Sequence, residues 1–496
     1  MTADPQRSAR TRPRAIVITI IAIALALGAW LRFAAIGARE MSADEGASWA
    51  AAAAPTLAEV IRVQAALNPG KLAVYEMLLH AWMNLFGDGL AAMRALSAML
   101  DTFSIVVVFA LVRELLGARS LTLQSEGSEC GGIPPEESET VAALAALFFA
   151  VNLVTIKYAR ELRMYPLALM LVLLQVWVFI RTVRRGGDSL ELTLLAVLTA
   201  LAVATHFSAA FIFMAEALWF VAWPLMPWRR GQPRTASMLP IAAAFGTGAA
   251  IFLIVAAPAL RAGAGAFANG ATAWIEPPRW WAPLALFNKG IGSFAFPVMA
   301  ALAGWGAWCG WTRAREATAF ALAWMWLPPL LMLIASYGFS PMFVERYALW
   351  CFVPFFMLAA LGAWELPGRS ISAVAIGLAV FLALGHLHTY RRRPHDTQWR
   401  EAARAAAVAL APGLKIAVAP PYAINAMRYY LRDTQAAESA VPAEAADTAN
   451  PHIRILVIGD RWNARGEAAK LLAQFPRLLG AFRDVRIYGR GAPAAR

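Results

Sequence analysis

Charged residues are scarce in this sequence. Only 15% of its 496 residues are Asp, Glu, Lys or Arg, whereas 60% are hydrophobic and the mean hydropathy is +0.56. Soluble globular proteins carry about 25% charged residues, because water must solvate their surfaces. The scarcity of charge therefore excludes a soluble globular protein and predicts an integral membrane protein with long apolar helices.

Cysteine and histidine are also rare, with three and six residues respectively. Cys130, Cys309 and Cys351 are far apart, so they form neither a disulfide framework nor a metal-ligand spacing. His386 and His388 stand two apart near the end of an apolar segment, which is more typical of interfacial side chains than of a zinc site. No metal site is predicted from these residues.

A basic helix with interleaved aromatic residues is missing, although the net charge is +13. Residues 391–496 hold 17 Lys and Arg against 9 Asp and Glu, a surplus of 8, so most of the excess positive charge lies in the tail. Without a nucleic-acid-binding pattern, this charge predicts membrane lipids or an anionic glycolipid as partners, and no nucleic acid.

Eleven apolar segments are long enough to predict membrane spans. In chain order they are Ala15–Ile36, Leu90–Leu116, Val141–Ile156, Met164–Ile180, Leu190–Thr205, Phe207–Leu225, Ala236–Ala257, Ile291–Trp311, Ala317–Tyr337, Tyr347–Trp364 and Ile371–Tyr390. Leu72–Phe86 is shorter and amphipathic, so we predict a juxtamembrane helix on the membrane surface. The segment Gly117–Thr140, rich in Gly, Pro, Ser and Glu, is predicted to be disordered.

Four arginines (Arg7, Arg10, Arg12 and Arg14) precede the first span and predict a cytoplasmic N-terminus. Residues 40–88 then form an outer loop with juxtamembrane helices, within a transmembrane domain of residues 1–390. Residues 391–496 are predicted to form a C-terminal domain outside the cytoplasm. The triplet Arg391-Arg392-Arg393 favours the cytoplasmic side instead, so the side of the tail stays open.

The tail has the pattern of a small α/β soluble domain that begins near His395. Short β-type runs alternate with helical stretches, and the run that ends at Asp460 lacks the glycine-rich turn of a nucleotide site. The predicted strands are Lys415–Ala419, Arg454–Ile458 and Val485–Tyr488, and the predicted helices are Ile424–Arg432 and Gly466–Phe475.

Charged residues gather at the predicted outer ends of the spans. Charged groups near membrane depth are costly, so they usually pair or serve a site. Extension of a charged side chain towards the lipid headgroups would explain any one of these residues separately, but it does not explain why acidic residues lie beside basic ones. The set comprises Asp44, Glu45, Lys71, Arg160, Glu161, Arg163, His206, Lys289, Glu345 and Arg346. We therefore expect distant parts of the chain to form one pocket containing an acid and several cations.

Several short motifs make the sequence resemble the GT-C glycosyltransferases. The branch is the one that contains the bacterial protein-mannosyltransferase-like family 39 and the lipid A aminoarabinose transferases. The motifs are Asp44-Glu45, Gly70-Lys71-Leu72 with Tyr75, Gly87 with Arg94, Arg160-Glu161-x-Arg163-x-Tyr165, Glu345-Arg346-Tyr347 with Pro354, Trp399-Arg400-Glu401 and Tyr429-Tyr430. Relatives often have a proline after the lysine, whereas this chain continues Lys71-Leu72-Ala73.

The resemblance implies a polytopic α-helical membrane protein of the GT-C type, with about eleven transmembrane helices, juxtamembrane helices and the small C-terminal α/β domain. It also implies inverting sugar transfer at the outer face of the bacterial cytoplasmic membrane. The donor would be a polyprenyl-phosphate sugar, and the acceptor hydroxyl would belong to a lipid, glycan or protein. No cofactor is expected. A divalent cation is the less favoured option, because metal-dependent relatives tend to use Asp-x-Asp, which this loop lacks.

The same resemblance and the chemistry of transfer suggest roles for individual residues. Asp44 is the predicted catalytic base, and Glu45 would assist it or hold a cation. The predicted donor-phosphate ligands are Lys71, Arg160, Arg163, Tyr165, Arg346 and Tyr347. The further candidate substrate contacts are Tyr75, His206, Lys289 and Glu345.

Two other functions compete with sugar transfer. A glycolipid flippase would also carry charges at its outer mouth, but it predicts polar groups at the bilayer midplane, where Gln175 and Glu216 are among the few. A membrane anchor for the α/β tail would leave the charged set without a purpose.

Overall fold

The structure is a computed structural model that describes residues 5–117, 133–226, 238–268, 275–392, 398–443, 450, 452–459 and 472–490. The helices of the first part of the chain are α1 (Pro5–Phe33), α2 (Ala43–Ala52), α3 (Leu57–Leu67), α4 (Val74–Phe86), α5 (Leu90–Leu116), α6 (Pro135–Ala150), α7 (Leu153–Ala159) and α8 (Tyr165–Arg185). They are followed by α9 (Ser189–Thr205), α10 (Ala209–Ala222), α11 (Met238–Ala268), α12 (Ala282–Ile291), α13 (Ala295–Arg313), α14 (Arg315–Gly338), α15 (Phe352–Trp364) and α16 (Arg369–Arg392).

The chain is a multi-pass membrane protein. Among the described residues, seven helices are long and apolar enough to cross a bilayer, and the number rises to nine if the bent pairs α6–α7 and α12–α13 each count as one span. The shorter apolar segments Ser189–Thr205 and Ala209–Leu225 add two more candidates. Every predicted apolar segment overlaps one of these helices, whereas α4 is not among them. The count of eleven crossings stays a prediction.

Several predicted boundaries were wrong. Helix α6 begins at Pro135, inside the segment predicted to be disordered, and residues 118–132 of that segment lie outside the described ranges. The third predicted span breaks at Asn152, whose side chain accepts a hydrogen bond from the Thr155 N–H and caps α7, so the chain bends by 59°. Helix α11 continues to Ala268, beyond the predicted end of its span at Ala257, and α12 begins at Ala282, before the predicted start of the next span at Ile291.

The bundle is held by close helix contacts and by a buried ion pair between α1 and α5. Helices α13 and α15 meet at Gly306 and Gly362, where an added Cβ would collide with a backbone carbonyl of the other helix. In α1, Arg32 is fully buried and donates to Asp101 of α5 at 2.6 Å and to the Ala150 carbonyl of α6 at 2.8 Å. The Arg32 contacts join the C-terminal ends of α1 and α6 to the middle of α5.

The tail forms the small α/β domain expected from its pattern. Its elements are α17 (Trp399–Ala409), β1 (Lys415–Ala419), α18 (Ile424–Leu431), β2 (Ala440–Pro442), β3 (Ile453–Gly459), β4 (Arg477–Phe482) and β5 (Val485–Gly489). The strand order is β2-β1-β3-β5-β4, with β1 parallel to β2 and β3, and β5 antiparallel to β3 and β4. Strands β2 and β4 were not predicted, and most of the predicted helix 466–475 lies outside the described residues.

The C-terminal domain lies at the same end of the bundle as the loop that contains Asp44. Helix α18 packs against α2, and the guanidinium of Arg391 donates to the Leu31 carbonyl at the end of α1 and lies over the Trp30 ring. Arg391, the first arginine of the triplet and part of the last turn of α16, is therefore bonded at this end of the bundle. These contacts explain the position of Arg391 without reference to which side of the membrane favours positive charge.

Candidate active site at the helix ends

Asp44 lies in the first turn of α2, which begins with a capping box. The Glu45 N–H donates to the Ser42 hydroxyl at 3.3 Å, and the Ser42 N–H donates to the Glu45 carboxylate at 2.8 Å. The sequence Ser-x-x-Glu favours this arrangement because it satisfies two N–H groups at a helix start. The Asp44 side chain is exposed and, among the described residues, accepts no hydrogen bond and forms no ion pair.

Glu45, by contrast, is buried and fully bonded. Its two oxygens accept from the Arg94 guanidinium at 2.7 and 2.9 Å, and also from the backbone N–H groups of Ser42 and Leu162 at 2.8 Å. Burial alone would raise the pKa of Glu45, but the Arg94 charge outweighs this and holds that pKa below its ordinary value. Arg94 also donates to the carbonyls of Ile36, Arg39 and Glu40, so this pair orders the loop before α2.

Arg160 does not face Asp44. Its guanidinium donates to the carbonyls of Leu31, Arg32, Ala34 and Ala35 at 2.7–3.3 Å, around the C-terminal end of α1. Arg160 thereby satisfies carbonyls that a helix end leaves without partners. Residues 160–164 are not helical, since α7 ends before them and α8 begins after them, so Arg160 and Arg163 do not share a helix face although they are three residues apart.

Arg163 turns the other way, towards α2. It is buried, and its guanidinium donates to the Asp44 carbonyl at 2.8 Å and to the Ser48 hydroxyl at 3.3 Å. The guanidinium carbon lies 5.9 Å from the centre of the Tyr165 ring, and that of Arg346 lies 5.7 Å from the same ring. Tyr165 therefore connects the two arginines, and Arg346 lies at an equal distance over Tyr347.

Lys71 completes the group of cations. Gly70 precedes it with a φ of 91°, in the left-handed region that favours glycine, and packs directly against the backbone of Gly263 in α11. The pKa of Lys71 is lowered to about 8, mainly by burial and also by the nearby Arg163 and Arg346, whereas Asp44 and Glu76 oppose this change. Within the described ranges, the Lys71 ammonium forms no hydrogen bond or ion pair. Asp44, Lys71, Arg163 and Arg346 therefore lie close enough together to interact electrostatically.

His206 and Tyr347 line the same region. The His206 ring centre is 4.6 Å from that of Tyr347 and 5.6 Å from that of Tyr165, and its Nδ1 is hydrogen-bonded to the Ser208 hydroxyl at 2.6 Å. Burial keeps the pKa of His206 well below its ordinary value, with further lowering by Lys71, Arg163 and Arg346. The ring is therefore neutral, and its buried Nε2 has no partner among the described residues.

The remaining predicted residues lie around this group rather than in it. Tyr75 is buried and its hydroxyl is 2.9 Å from that of Ser97. Glu345 forms an ion pair with Lys289 at 3.2 Å, and the Lys289 side chain is 75% exposed. The loops thus bring together Asp44, Lys71, Arg163, Tyr165, His206, Arg346 and Tyr347. Glu45, Arg160, Tyr75, Lys289 and Glu345 make their contacts with other groups.

Glu76 was missed by the sequence analysis. It is 2% exposed, accepts a hydrogen bond from the Ser48 hydroxyl at 3.2 Å, and interacts electrostatically with Arg163 and Lys71. Burial raises the pKa of Glu76, and Arg163 opposes that change. The signal was present in the sequence, since Glu76 is an acid within an otherwise apolar helix directly after Tyr75.

Comparison with solved structures identifies the fold. ArnT of Cupriavidus metallidurans bound to undecaprenyl phosphate has a TM-score of 0.58 at 12% identity, covering 97% of this chain and 99% of that one. The Archaeoglobus fulgidus oligosaccharyltransferase AglB, with an inhibitory peptide and a dolichol-phosphate, has a TM-score of 0.56 at 10% identity, covering 97% and 75%. The chain has the GT-C glycosyltransferase fold. No protein-family model and no curated protein matches the sequence.

One of the similar structures contains a metal ion. Another structure of the Archaeoglobus fulgidus oligosaccharyltransferase, similar at a TM-score of 0.55 and 11% identity over 95% of this chain and 73% of that one, is a complex with Zn and sulfate. In the part of the present chain that the structure describes, no group of three or more His, Cys, Asp or Glu residues is placed to hold a metal. The charges around Asp44 are cations, and Glu45 is already bonded, so the residues present do not fit a metal site here.

Proposed function

We propose that this protein is an inverting glycosyltransferase that moves a sugar from a polyprenyl-phosphate donor to an acceptor hydroxyl. The observation that carries the proposal is an exposed carboxylate, Asp44, beside the cations Lys71, Arg163 and Arg346. The fold supports it, because the similar ArnT and AglB structures contain undecaprenyl phosphate and dolichol-phosphate. The acceptor is a lipid, glycan or protein.

Asp44 acts as the general base. An acceptor hydroxyl is a poor nucleophile, so a carboxylate must take its proton while the oxygen attacks the anomeric carbon. The bond from that carbon to the donor phosphate breaks as the new glycosidic bond forms, and the electron pair leaves with the phosphate. Glu45, with all its bonds made, holds the first turn of α2 in place rather than accepting this proton.

The cations stabilise the departing lipid phosphate. Lys71, Arg163 and Arg346 face a group that gains negative charge in the transition state, so their attraction lowers the barrier. One cation at 4 Å in an effective dielectric near 20 contributes about 4 kcal/mol, or roughly a thousandfold in rate. The hydroxyls of Tyr165 and Tyr347 donate to the phosphate, and His206 offers its unpartnered Nε2 to the sugar.

The other predicted residues have supporting positions in this proposal. Arg160 holds the end of α1, and Tyr75 bonds to Ser97, whose hydroxyl donates to the Arg163 carbonyl, rather than touching the phosphate. The Lys289–Glu345 ion pair, next in sequence to Arg346, is a substrate contact at the edge of the site. The reaction needs no cofactor and no metal, so transfer persists in excess EDTA.

The membrane orientation belongs to the same proposal. The chain lies in the bacterial cytoplasmic membrane with its N-terminus in the cytoplasm, since arginines precede the first span. Asp44 and the C-terminal domain share one end of the bundle, so both face outwards. Cysteine labelling at exposed Tyr422 in intact cells tests this, because a Tyr422→Cys variant should react with a membrane-impermeant maleimide.

The proposal is tested with purified protein in lipid nanodiscs. Undecaprenyl-phosphate mannose and undecaprenyl-phosphate aminoarabinose are supplied as donors with an envelope extract as acceptor, and mass spectrometry detects the glycosylated product. Asp44→Asn should lower the transfer rate roughly 10²- to 10⁴-fold without loss of folding. Glu276→Gln, a change at an exposed acid, should leave the rate unchanged.

Two outcomes would contradict the proposal. Normal transfer by a folded Asp44→Asn protein would refute the role of Asp44. Movement of the lipid-linked sugar across a vesicle membrane without any new glycosidic bond would support the flippase alternative instead.

A further inference from the structure

The C-terminal domain contacts the catalytic loop through helix α18. Gly46 of α2 faces the backbone of this helix, and a Cβ added there would come within 2.5 Å of the Ala426 nitrogen and 2.9 Å of the Asn425 carbonyl carbon. Only glycine permits backbones to approach so closely. One turn later, the Trp49 ring packs edge-on against Tyr429 of α18 at 5.2 Å. The helix that carries Asp44 is therefore fitted against a second domain.

Two further contacts hold the residues just before α2. The Met41 N–H donates to the Tyr430 hydroxyl at 2.6 Å, and Met41 is fully buried immediately before the capping residue Ser42. Glu40 accepts a hydrogen bond from the Arg400 N–H at 3.0 Å, and the Arg400 guanidinium lies over the Tyr430 ring at 5.5 Å. The entry to α2 is thus bonded to both α17 and α18.

Asp44 has no comparable support of its own. Among the described residues its carboxylate forms no hydrogen bond, so its position depends strongly on the backbone of α2. The membrane domain holds one side of this backbone, through Glu45 with Arg94 and through Arg163 with the Asp44 carbonyl. The C-terminal domain contacts the same helix at Gly46 and Trp49.

We propose that the C-terminal domain aligns the catalytic base, with Tyr430 and Gly46 as positioning residues. The contact of α18 fixes the first turn of α2, and the Tyr430 hydroxyl fixes the residue before its cap. The catalytic part of this inference rests on the proposed role of Asp44 in sugar transfer. The mechanical part, that α18 orders α2, does not depend on the reaction.

Hydrogen exchange of the full-length protein in nanodiscs tests the mechanical part. Tyr430→Phe removes the acceptor of the Met41 N–H and keeps the ring, so amides in residues 41–52 should exchange roughly five- to tenfold faster, as expected for one lost hydrogen bond. Tyr422→Phe changes an exposed tyrosine of the same domain, 66% accessible, and should leave these amides unchanged. Equal exchange in the two variants overturns the inference.

Steady-state kinetics with the undecaprenyl-phosphate sugar that the wild type accepts test the catalytic part. Tyr430→Phe should lower kcat roughly fivefold and leave the KM for the donor unchanged, because Tyr430 touches none of the phosphate-binding cations. Faster exchange with an unchanged kcat overturns the catalytic part. A wild type that transfers neither donor sugar defeats the proposed function and the catalytic part with it, while the exchange experiment still decides the contact.

Gly46→Ala gives an independent test at the second contact. Its Cβ must push α18 away, so exchange in residues 41–52 should rise and kcat should fall more than in Tyr430→Phe. Gly385→Ala is the matched control, because Gly385 is also helical and a Cβ there meets nothing within 4 Å. If Gly46→Ala behaves like Gly385→Ala in both measurements, α18 does not position α2.

Discussion

Two groups of charged residues lie side by side at the end of the helix bundle, and they differ in how many of their charged atoms have protein partners. The bonded layer consists of Glu45, Arg94 and Arg160, whose polar atoms are occupied by one another and by backbone groups. The open pocket consists of Asp44, Lys71, Arg163 and Arg346, of which the Asp44 carboxylate and the Lys71 ammonium have no protein partner in the described chain. Adjacent acids, Asp44 and Glu45, thus fall into different groups.

The difference separates charges that maintain the structure from charges available to a ligand. In the bonded layer, each charge satisfies groups that would otherwise be buried without partners, and removal of Glu45 or Arg94 would leave an uncompensated opposite charge. In the open pocket, like charges are held together although they repel one another, which costs free energy unless an anion binds among them. The energetic effect of a mutation should therefore depend on the group to which the residue belongs.

The largest effect is expected from exchanging acid for amide in the bonded layer. Glu45→Gln leaves Arg94 without its counter-charge, and breaking a buried ion pair costs about 3–5 kcal/mol. The midpoint of thermal unfolding in detergent should be clearly lower for Glu45→Gln than for the wild type. It should be unchanged for Asp44→Asn. Equal midpoints for the two amide variants would abolish the distinction between the groups.

A second comparison uses one arginine from each group. Arg346→Gln should reduce kcat/KM for the lipid-linked donor roughly hundredfold, since one charge that stabilises the leaving phosphate is lost. Arg160→Gln should reduce it less than tenfold, because only helix-end carbonyls lose their donor. The comparison would be contradicted if Arg160→Gln proved the more damaging of the two in the transfer assay.

The smallest expected effect is the change of kcat/KM with pH. Lys71 has a pKa lowered to about 8 by burial and by the neighbouring arginines, so it is charged below that pH and neutral above it. The value of kcat/KM should therefore be halved at about pH 8 and fall further as the pH rises. Lys71→Arg should move this decline to higher pH, and Lys289→Arg, at an exposed lysine, should not. If kcat/KM of Lys71→Arg declined at the same pH as that of the wild type, the decline would be due to the titration of a group other than Lys71.

The sequence predicted the fold class and most of the open pocket for physical reasons. Apolar runs must be buried in lipid whatever their neighbours, so the spans and the amphipathic α4 could be predicted from the sequence alone. Asp44, Lys71, Arg163 and Arg346 were suspected because charges at membrane depth are costly. The alternation of the tail likewise predicted β1, β3 and β5.

The partners of each charge could not be predicted, because bonding depends on tertiary contacts. Arg160 and Arg163 are the same residue type in the same short motif. Arg160 nevertheless bonds to the end of α1, whereas Arg163 bonds to α2. Glu76 was overlooked because its helix was interpreted only as a membrane-surface element. Strand β2 has just three residues, and β4 is an edge strand with exposed leucines, so neither has a clear buried pattern.

The contact between Gly70 and Gly263 links the open pocket to the surrounding lipid. Helix α11, which carries Gly263, is only 17% buried along its apolar window, so most of its surface faces the bilayer rather than other helices. A tilt of α11 displaces the backbone on which the residue before Lys71 rests. A mismatch between the apolar length of α11 and the thickness of the bilayer, which favours a change of tilt, would therefore displace the backbone beside Lys71.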